Sequence, residues 1–350
     1  NVGADRGRVR AAAALVAALP AEELHPALEN RLSVGAPLFA QMPNLLRAIP
    51  GIPTLLGMGE QHRFLLLVQN NHELRPTGGF ITAVGRLAIK DGAITFLDFD
   101  DSYIVYKETT HYPPSPAPMQ EYMQIPYLTF RDSNWSPDLP TSETIAHTLF
   151  VGDVGWEYDE LVTIDLNAVE TLIGALSPLK LEGIDEPVTG ANIMPIMKEL
   201  WARPADSEAT VEGDLAVWWR ERKDFIPKLA QAALQKILSG NVEPLRLGAA
   251  LVTTLQERDI QAVLKEPTLA ALFAEQGWDG ALKPNPDGDY LALVDMNMGY
   301  NKTDAVIERS LEYSVTFPTS SAARALAQAS VTYTHPVTRT DEICAPTPRY

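Results

Sequence analysis

The chain has 350 residues, of which 46% are hydrophobic, and a formal net charge of −17 from 45 acidic and 28 basic side chains. Such a field repels a phosphate backbone and disfavours both nucleic-acid binding and broad docking on anionic lipid, while leaving room for a local basic pocket that holds one phosphorylated group. A single cysteine, Cys344, excludes an intrachain disulfide and a cysteine-rich zinc site; it reads either as a free thiol or as half of a bridge in a longer natural chain.

No run reaches the roughly 18 apolar residues that crossing a bilayer requires. The chain starts at Asn1, so a signal or membrane anchor is expected before residue 1. Residues 1–60 read as a helical lead-in, with apolar residues at helical spacing over 11–19, 21–32 and 38–49. Phe64-Leu65-Leu66-Leu67-Val68 is an uninterrupted apolar run of strand length, the pattern of a central strand covered on both faces. Residues 80–89 and 93–99 form a hairpin, because Lys90-Asp91-Gly92 between them supplies the positive φ angles of a tight turn.

Between positions 101 and 140 come seven prolines with Tyr103, Tyr106, Tyr112, Tyr122 and Tyr127, which predicts a long ordered loop or lid. A helix over 141–150, a strand over 161–164 and a helix over 166–176 capped by Asp165 follow. Residues 189–276 read as mainly helical, with a long helix through Trp218, Phe225, Leu229, Ala233 and Ile237. A strand returns at 291–294. From Leu311 the period becomes two, with Leu311, Tyr313, Val315 and Phe317 on one face, and Ala329, Val331, Tyr333 and His335 repeat it. The expected class is therefore layered α/β, a mixed sheet flanked by helices over 61–310, with a β-rich module opening at 311–350.

Four polar clusters could carry chemistry. The first follows the apolar strand: Gln69, Asn70, Asn71, His72, Glu73, Leu74, Arg75, Pro76, Thr77, Gly78 and Gly79. Ligands gather beyond the carboxyl ends of strands in layered α/β folds, so Arg75 either forks onto a phosphate or carboxylate, with Gly78 and Gly79 letting the backbone approach, or pairs with Glu73 or a nearby acid. His72 reads as structural. The second is Asp98, Asp100 and Asp101, which either hold a hard cation such as Mg²⁺ or form a solvated strand end. In the third, Arg131 to Asp138, Arg131 binds an anion or pairs with Asp132, and Asp138 or Thr141 caps the next helix. The fourth, Arg220-Glu221-Arg222-Lys223, is either a cationic site or an ordinary charged helix face. Phosphate-loop, dinucleotide, serine-hydrolase and zinc-protease motifs are all missing.

Leu66 to Asn71, then Glu73-Leu74-Arg75-Pro76-Thr77-Gly78-Gly79-Phe80, resemble the signature of the bacterial domain-of-unknown-function family 4012. Further matches at 134–140, at the Asp165 strand-to-helix step, at Gly277-Trp278-Asp279-Gly280 and at Gly299-Tyr300-Asn301-Lys302 extend the resemblance over 55–335. The core is also similar to LytR-CpsA-Psr phosphotransferases, which move phosphorylated glycopolymers from a polyprenyl-pyrophosphate carrier to the cell wall.

These resemblances imply an extracytoplasmic, membrane-anchored cell-surface protein. In the enzyme reading, Arg75, Arg131, Arg220 and Arg222 neutralise the pyrophosphate, Asn70, Asn71, Thr77, Gly78 and Lys223 contact substrate, and Asp100 or Asp101 holds Mg²⁺ for phosphoryl transfer. The partner is then a polyprenyl-linked glycopolymer or cell-wall glycan. Two departures, Gln69-Asn70-Asn71 for an Asp-containing loop and Lys223-Asp224 for an Arg-Gln-Gln run, keep a second reading open: a non-catalytic surface or assembly component that retains the fold and contacts other copies or envelope proteins.

Overall fold

The apolar run at 64–68 occupies the middle of the molecule. In the computed structural model, which describes residues 26–201, 214–285, 287–317 and 324–336, it lies in strand β1 (His62–Asn70), third of five in a mixed sheet. Strand β2 (Phe80–Lys90) pairs antiparallel with β1, and β3 (Ala93–Asp101) antiparallel with β2. The turn between them holds Asp91 at φ 50° and Gly92 at φ 78°, the left-handed pair that a two-residue hairpin turn needs and that Asp-Gly accepts at least cost. On the other side of β1, β4 (Glu160–Asp165) runs parallel to it and β5 (Ile260–Val263) antiparallel to β4, giving the order β3-β2-β1-β4-β5.

Because successive side chains point to opposite faces, the sheet buries two cores. Leu65, Leu67, Ile81 and Val84 pack with Phe130 and with Leu149 and Phe150 of helix α2 (Leu139–Val154). That helix starts at Asp138, whose carboxylate accepts a hydrogen bond from the Thr141 amide at 3.1 Å. The second face is covered by α3 (Leu166–Leu176), α4 (Ile193–Trp201), α5 (Asp214–Leu238) and α6 (Pro244–Gln256), with Leu166, Ile173, Met197, Phe225 and Leu229 in one cluster. Asp165 caps α3 as its position after the strand predicts, accepting from the Ala168 amide at 2.9 Å. Helix α1 (Pro26–Ala48) packs outside, on α6 and on α7 (Pro267–Gln276).

Several expectations change. From residue 26 the stretches 21–32 and 38–49 are one helix that continues through Pro37 and Pro43; each proline removes one N–H from the ladder without ending it. The helix over 11–19 lies outside the described residues, as does Cys344. Within the region read as helical, Ile260–Val263 is strand β5 with Ile260 and Ala262 buried, too short to show a period between two helices. The 101–140 stretch is the ordered loop it reads as: Tyr112, Met119, Met123, Leu128 and Phe130 are buried, while Tyr103, Tyr106, Tyr122 and Tyr127 stay exposed.

Residues 291–294 are not a strand, and Leu291, Leu293 and Val294 stay 42–47% exposed. Among the described residues this segment pairs with no strand. Instead its flanks are fastened to the ribbon of β6 (Glu308–Thr316) and β7 (Leu326–Thr334): the Tyr313 hydroxyl donates to Asp289 and the Tyr333 hydroxyl to Asp295 at 2.6 Å. The ribbon is a separate two-stranded sheet whose register puts Leu311 opposite Val331 and Tyr313 opposite Ala329, matching the period-two reading. Among the described residues, no helix is long and apolar enough to cross a membrane.

Phe130 has no exposed surface and sits against Phe150, ring centroids 5.3 Å apart. Phe130→Ala is expected to lower the free energy of unfolding by about 3–5 kcal/mol in urea titrations followed by tryptophan fluorescence. A loss under about 1 kcal/mol would show that this packing is not central to the fold.

Candidate functional site

Strands β1, β3 and β4 run the same way, so the loops after Asn70, Asp101 and Asp165 all emerge at one edge of the sheet. The loop after β1 is tightly knitted. The Asn70 side chain accepts from the His72 amide at 3.0 Å, the Glu73 amide donates to Asn70 O, and the Phe80 amide donates to Glu73 O at 2.8 Å. Thr77 is buried, its hydroxyl accepting from Gln69 at 2.8 Å and from Asn134 at 3.0 Å. A Cβ on Gly79 would lie 2.4 Å from the Asn70 carbonyl, so glycine there is required by close backbone approach.

Arg75 is only 2% exposed and spends its donors inside the protein. Nε donates to Asp132 at 3.0 Å, Nη2 to Glu73 at 3.3 Å, and Nη1 to the carbonyls of Leu74 and Asn297, both at 3.1 Å. Of its two sequence readings, pairing with nearby acids is the one the geometry gives. Asn70, Thr77 and Gly78 likewise hold the loop together. Asn71 reaches across to Asp165 at 3.2 Å, and its side-chain carbonyl is buried with no hydrogen-bond partner among the described residues.

The arginines divide. Arg131 lies close to Arg75, because Asp132 serves both: its Oδ2 is 3.8 Å from Arg131 Nε. The two guanidiniums are also joined through rings. Arg75 covers Phe80 at 5.1 Å, Phe80 meets Tyr103 at 6.3 Å, and Arg131 covers Tyr103 at 4.4 Å, the spacing of cation–π contacts. Arg220, Arg222 and Lys223 fall in the first half of α5, and their side chains lie outside the described part of the structure.

Asp100 and Asp101 do not converge. Asp98 and Asp100 both pair with Arg86 on one face of β3, while Asp101 faces the other way and caps a short turn by accepting from the Tyr103 amide at 2.8 Å. Among the described residues no group of three or more His, Cys, Asp or Glu stands close enough to hold a metal ion.

What sequence reasoning missed is a cavity. About 410 Å³ opens between the second sheet face and helices α3 to α6, lined by apolar side chains alone, among them Val68, Phe99, Ile164, Leu172, Ile226 and Ala233. Its lining has the same helical and strand periods as a filled core, so pattern cannot separate the two. Position 222 precedes Ile226 by one turn of α5. Asp165 and His72 belong to the same edge. Burial pushes the Asp165 carboxyl up to about 7, with Asp259 adding to the shift. Burial holds His72 down at about 4, helped by the charges of Lys198 and Lys302.

Comparison with known proteins gives three findings. Residues 59–200 match a family described as protein of unknown function (DUF4012). Among solved structures the chain is similar to the Lin1025 protein of Listeria innocua, at 12% identity and a TM-score of 0.35 over 77% of this chain and 90% of that one. It is also similar to a transcriptional regulator, EF0465, of Enterococcus faecalis, at 12% identity and a TM-score of 0.30 over 63% and 73% of the respective chains. No curated protein matches.

Removing Asp132 would leave Arg75 buried with one carboxylate too few. Asp132→Ala is expected to cost about 3–5 kcal/mol of stability, whereas Arg131→Ala, at a one-third exposed side chain, should cost about 1 kcal/mol or less; equal losses would overturn the distinction. For Asp165, a folded-state pKa near 7 means that ionisation opposes folding, so its share of stability is fullest at low pH and is lost as pH rises from about 4 to 7. His72 acts oppositely, its share being lost as pH falls from about 6.5 to 4. Asp165→Asn keeps a capping oxygen and should flatten the decline between pH 4 and 7 in thermal unfolding; a slope unchanged from wild type would refute the assignment.

Proposed function

We propose, for a chain whose residues 59–200 belong to the DUF4012 family, that it holds the apolar chain of a polyprenyl-linked, phosphorylated glycan at the bacterial cell surface. The cavity carries this reading. A hollow of about 410 Å³ without a polar lining atom is within the range of ligand sites, about 300–1,000 Å³, and offers a hydrocarbon dispersion contacts and nothing else. Polar groups stand at the sheet edge where the cavity strand β1 ends. Asn71, His72, Lys198 and Asp165 supply hydrogen bonds and charge there, and positions 220, 222 and 223 lie on the helix that lines the hollow.

An amphiphile with a long apolar tail and an anionic head suits such a combination, in line with the resemblance to carrier-dependent phosphotransferases. The reading places the protein outside the cytoplasm, where such carriers present their glycans. A specific observation favours binding without catalysis: Arg75 is fully engaged by Asp132, Glu73 and two carbonyls, and Asp100 and Asp101 diverge. The ribbon of β6 and β7, exposed at every position but Arg309, suits contacts within a surface assembly.

The purified chain is expected to bind a polyprenyl phosphate saturably in detergent micelles. Ala233→Trp, which fills the hollow, should weaken that binding at least tenfold with the unfolding midpoint preserved. Absence of saturable binding by the wild-type chain sinks the reading, and release of glycan phosphate from a carrier in the presence of cell-wall acceptor would restore the enzyme in place of the binder.

A further inference from the structure

Among the described residues, β3 and β5 border the five-stranded sheet, and β6 and β7 border the ribbon. A bordering strand carries a row of backbone N–H and C=O groups without ladder partners, and proteins blunt such rows with charge, bulges, shortness or cover. β3 is blunted by a register shift that skips Thr95 and by Asp98, Asp100 and Asp101. β5 has four residues, and its Ala262 amide donates to the Trp278 carbonyl at 3.0 Å. β6 carries Glu308, Arg309 and Glu312, and its Arg309 and Tyr313 side chains are tied to Asp295 and Asp289.

β7 has none of these devices. All of its residues from Leu326 to Thr334 are exposed, and they include no charge, proline or glycine in a chain whose net charge is −17. Its register with β6 runs unbroken from end to end, so the outer row is regular. The Tyr333 hydroxyl bonds Asp295 from the face that Tyr333 shares with Val331 and Ala329, which leaves the backbone row clear. A two-stranded ribbon is marginal in water, and three or more strands with one apolar face make a stable unit.

Charge and order select the occupant. Two copies of an acidic chain can meet only where acids do not face acids, and of the long bordering strands β7 alone brings none. It is also complementary to itself. Antiparallel pairing of two β7 strands about a two-fold axis at Ser330 sets Val331 opposite Ala329 of the other copy, Tyr333 opposite Ala327 and Thr332 opposite Gln328. Large stands against small, as it does inside the ribbon, where Tyr313 faces Ala329 and Val315 faces Ala327. The register keeps the apolar residues of both copies on one face.

We infer that two copies of this chain join edge to edge through β7, making one four-stranded sheet in the order β6-β7-β7-β6. Main-chain hydrogen bonds supply the affinity, as in strand addition generally, and the two-fold axis closes the contact at a dimer. The inference names the ribbon's neighbour, goes beyond the cavity reading and stands apart from what the cavity holds.

Sedimentation of the whole chain over a hundredfold range of concentration is expected to show a reversible monomer–dimer equilibrium. Because the axis passes through position 330, Ser330→Lys and Ser330→Glu each put like charges directly opposite in the dimer, and each should weaken it at least tenfold. Both are made together with Glu312→Gln, which removes the acid that faces Ser330 across the ribbon and by itself should leave dimerisation unchanged. An equimolar mixture of the two variants pairs opposite charges and should restore the dimer, with unfolding midpoints alike throughout the set. Ala233→Trp should leave the equilibrium unchanged, so loss of lipid binding and loss of dimerisation separate. A chain that stays monomeric over the whole range, a dimer indifferent to both charges at position 330, or a mixture as weak as its components would each overturn the inference.

Discussion

A buried ion pair at the end of the central strand sets the terms for the rest of this molecule. Arg75 and Asp132 come from segments 57 residues apart, and both side chains are almost entirely out of water. Desolvating two charges is expensive, and the expense is offset only if every donor and lone pair is matched. The matching recruits Glu73, Leu74 and Asn297, and Phe80 and Tyr103 lie tilted against each other between Arg75 and Arg131. The polar loop after β1, the turn at 130–135 and the chain near 297 are thus held to one geometry by one charge that cannot be left alone.

That constraint also divides the labour between two arginines that look alike in the sequence. Arg75 is sealed, and its worth is structural. Arg131 shares the same carboxylate at longer range and keeps its outer edge in solvent. The surface charge is therefore available because the inner one has already claimed the close oxygen of Asp132. On the far side of the same edge, an apolar hollow under α5 and a raised carboxyl at Asp165 make a different environment within the reach of one loop.

Much of the fold was legible in the residues. The apolar run at 64–68, the Asp-Gly turn, the Asp165 cap and the alternation after Leu311 each have a local physical cause, and each lies where its cause puts it. The errors are of another kind. Whether 291–294 pairs as a strand depends on a free sheet edge, and whether 260–263 does depends on β4 offering one; neither is a property of those four residues. The site was half legible for the same reason. Arg75, Asn71 and Arg131 stood out by type and position, but the oxygen that Asp132 gives to Arg75 is a matter of three-dimensional neighbours. The cavity was invisible because Val68, Leu172 and Ala233 follow the same periods whether the space between them is filled or open.

The Asp304 carboxylate links the ribbon to this edge. It accepts from the Leu74 amide at 3.0 Å and from Asn297 at 2.7 Å, and it pairs with Arg309 of β6. Leu74 and Asn297 are the two residues whose carbonyls hold Arg75. The ribbon of β6 and β7 is thus moored, through Arg309 and a single carboxylate, to the two residues that hold Arg75.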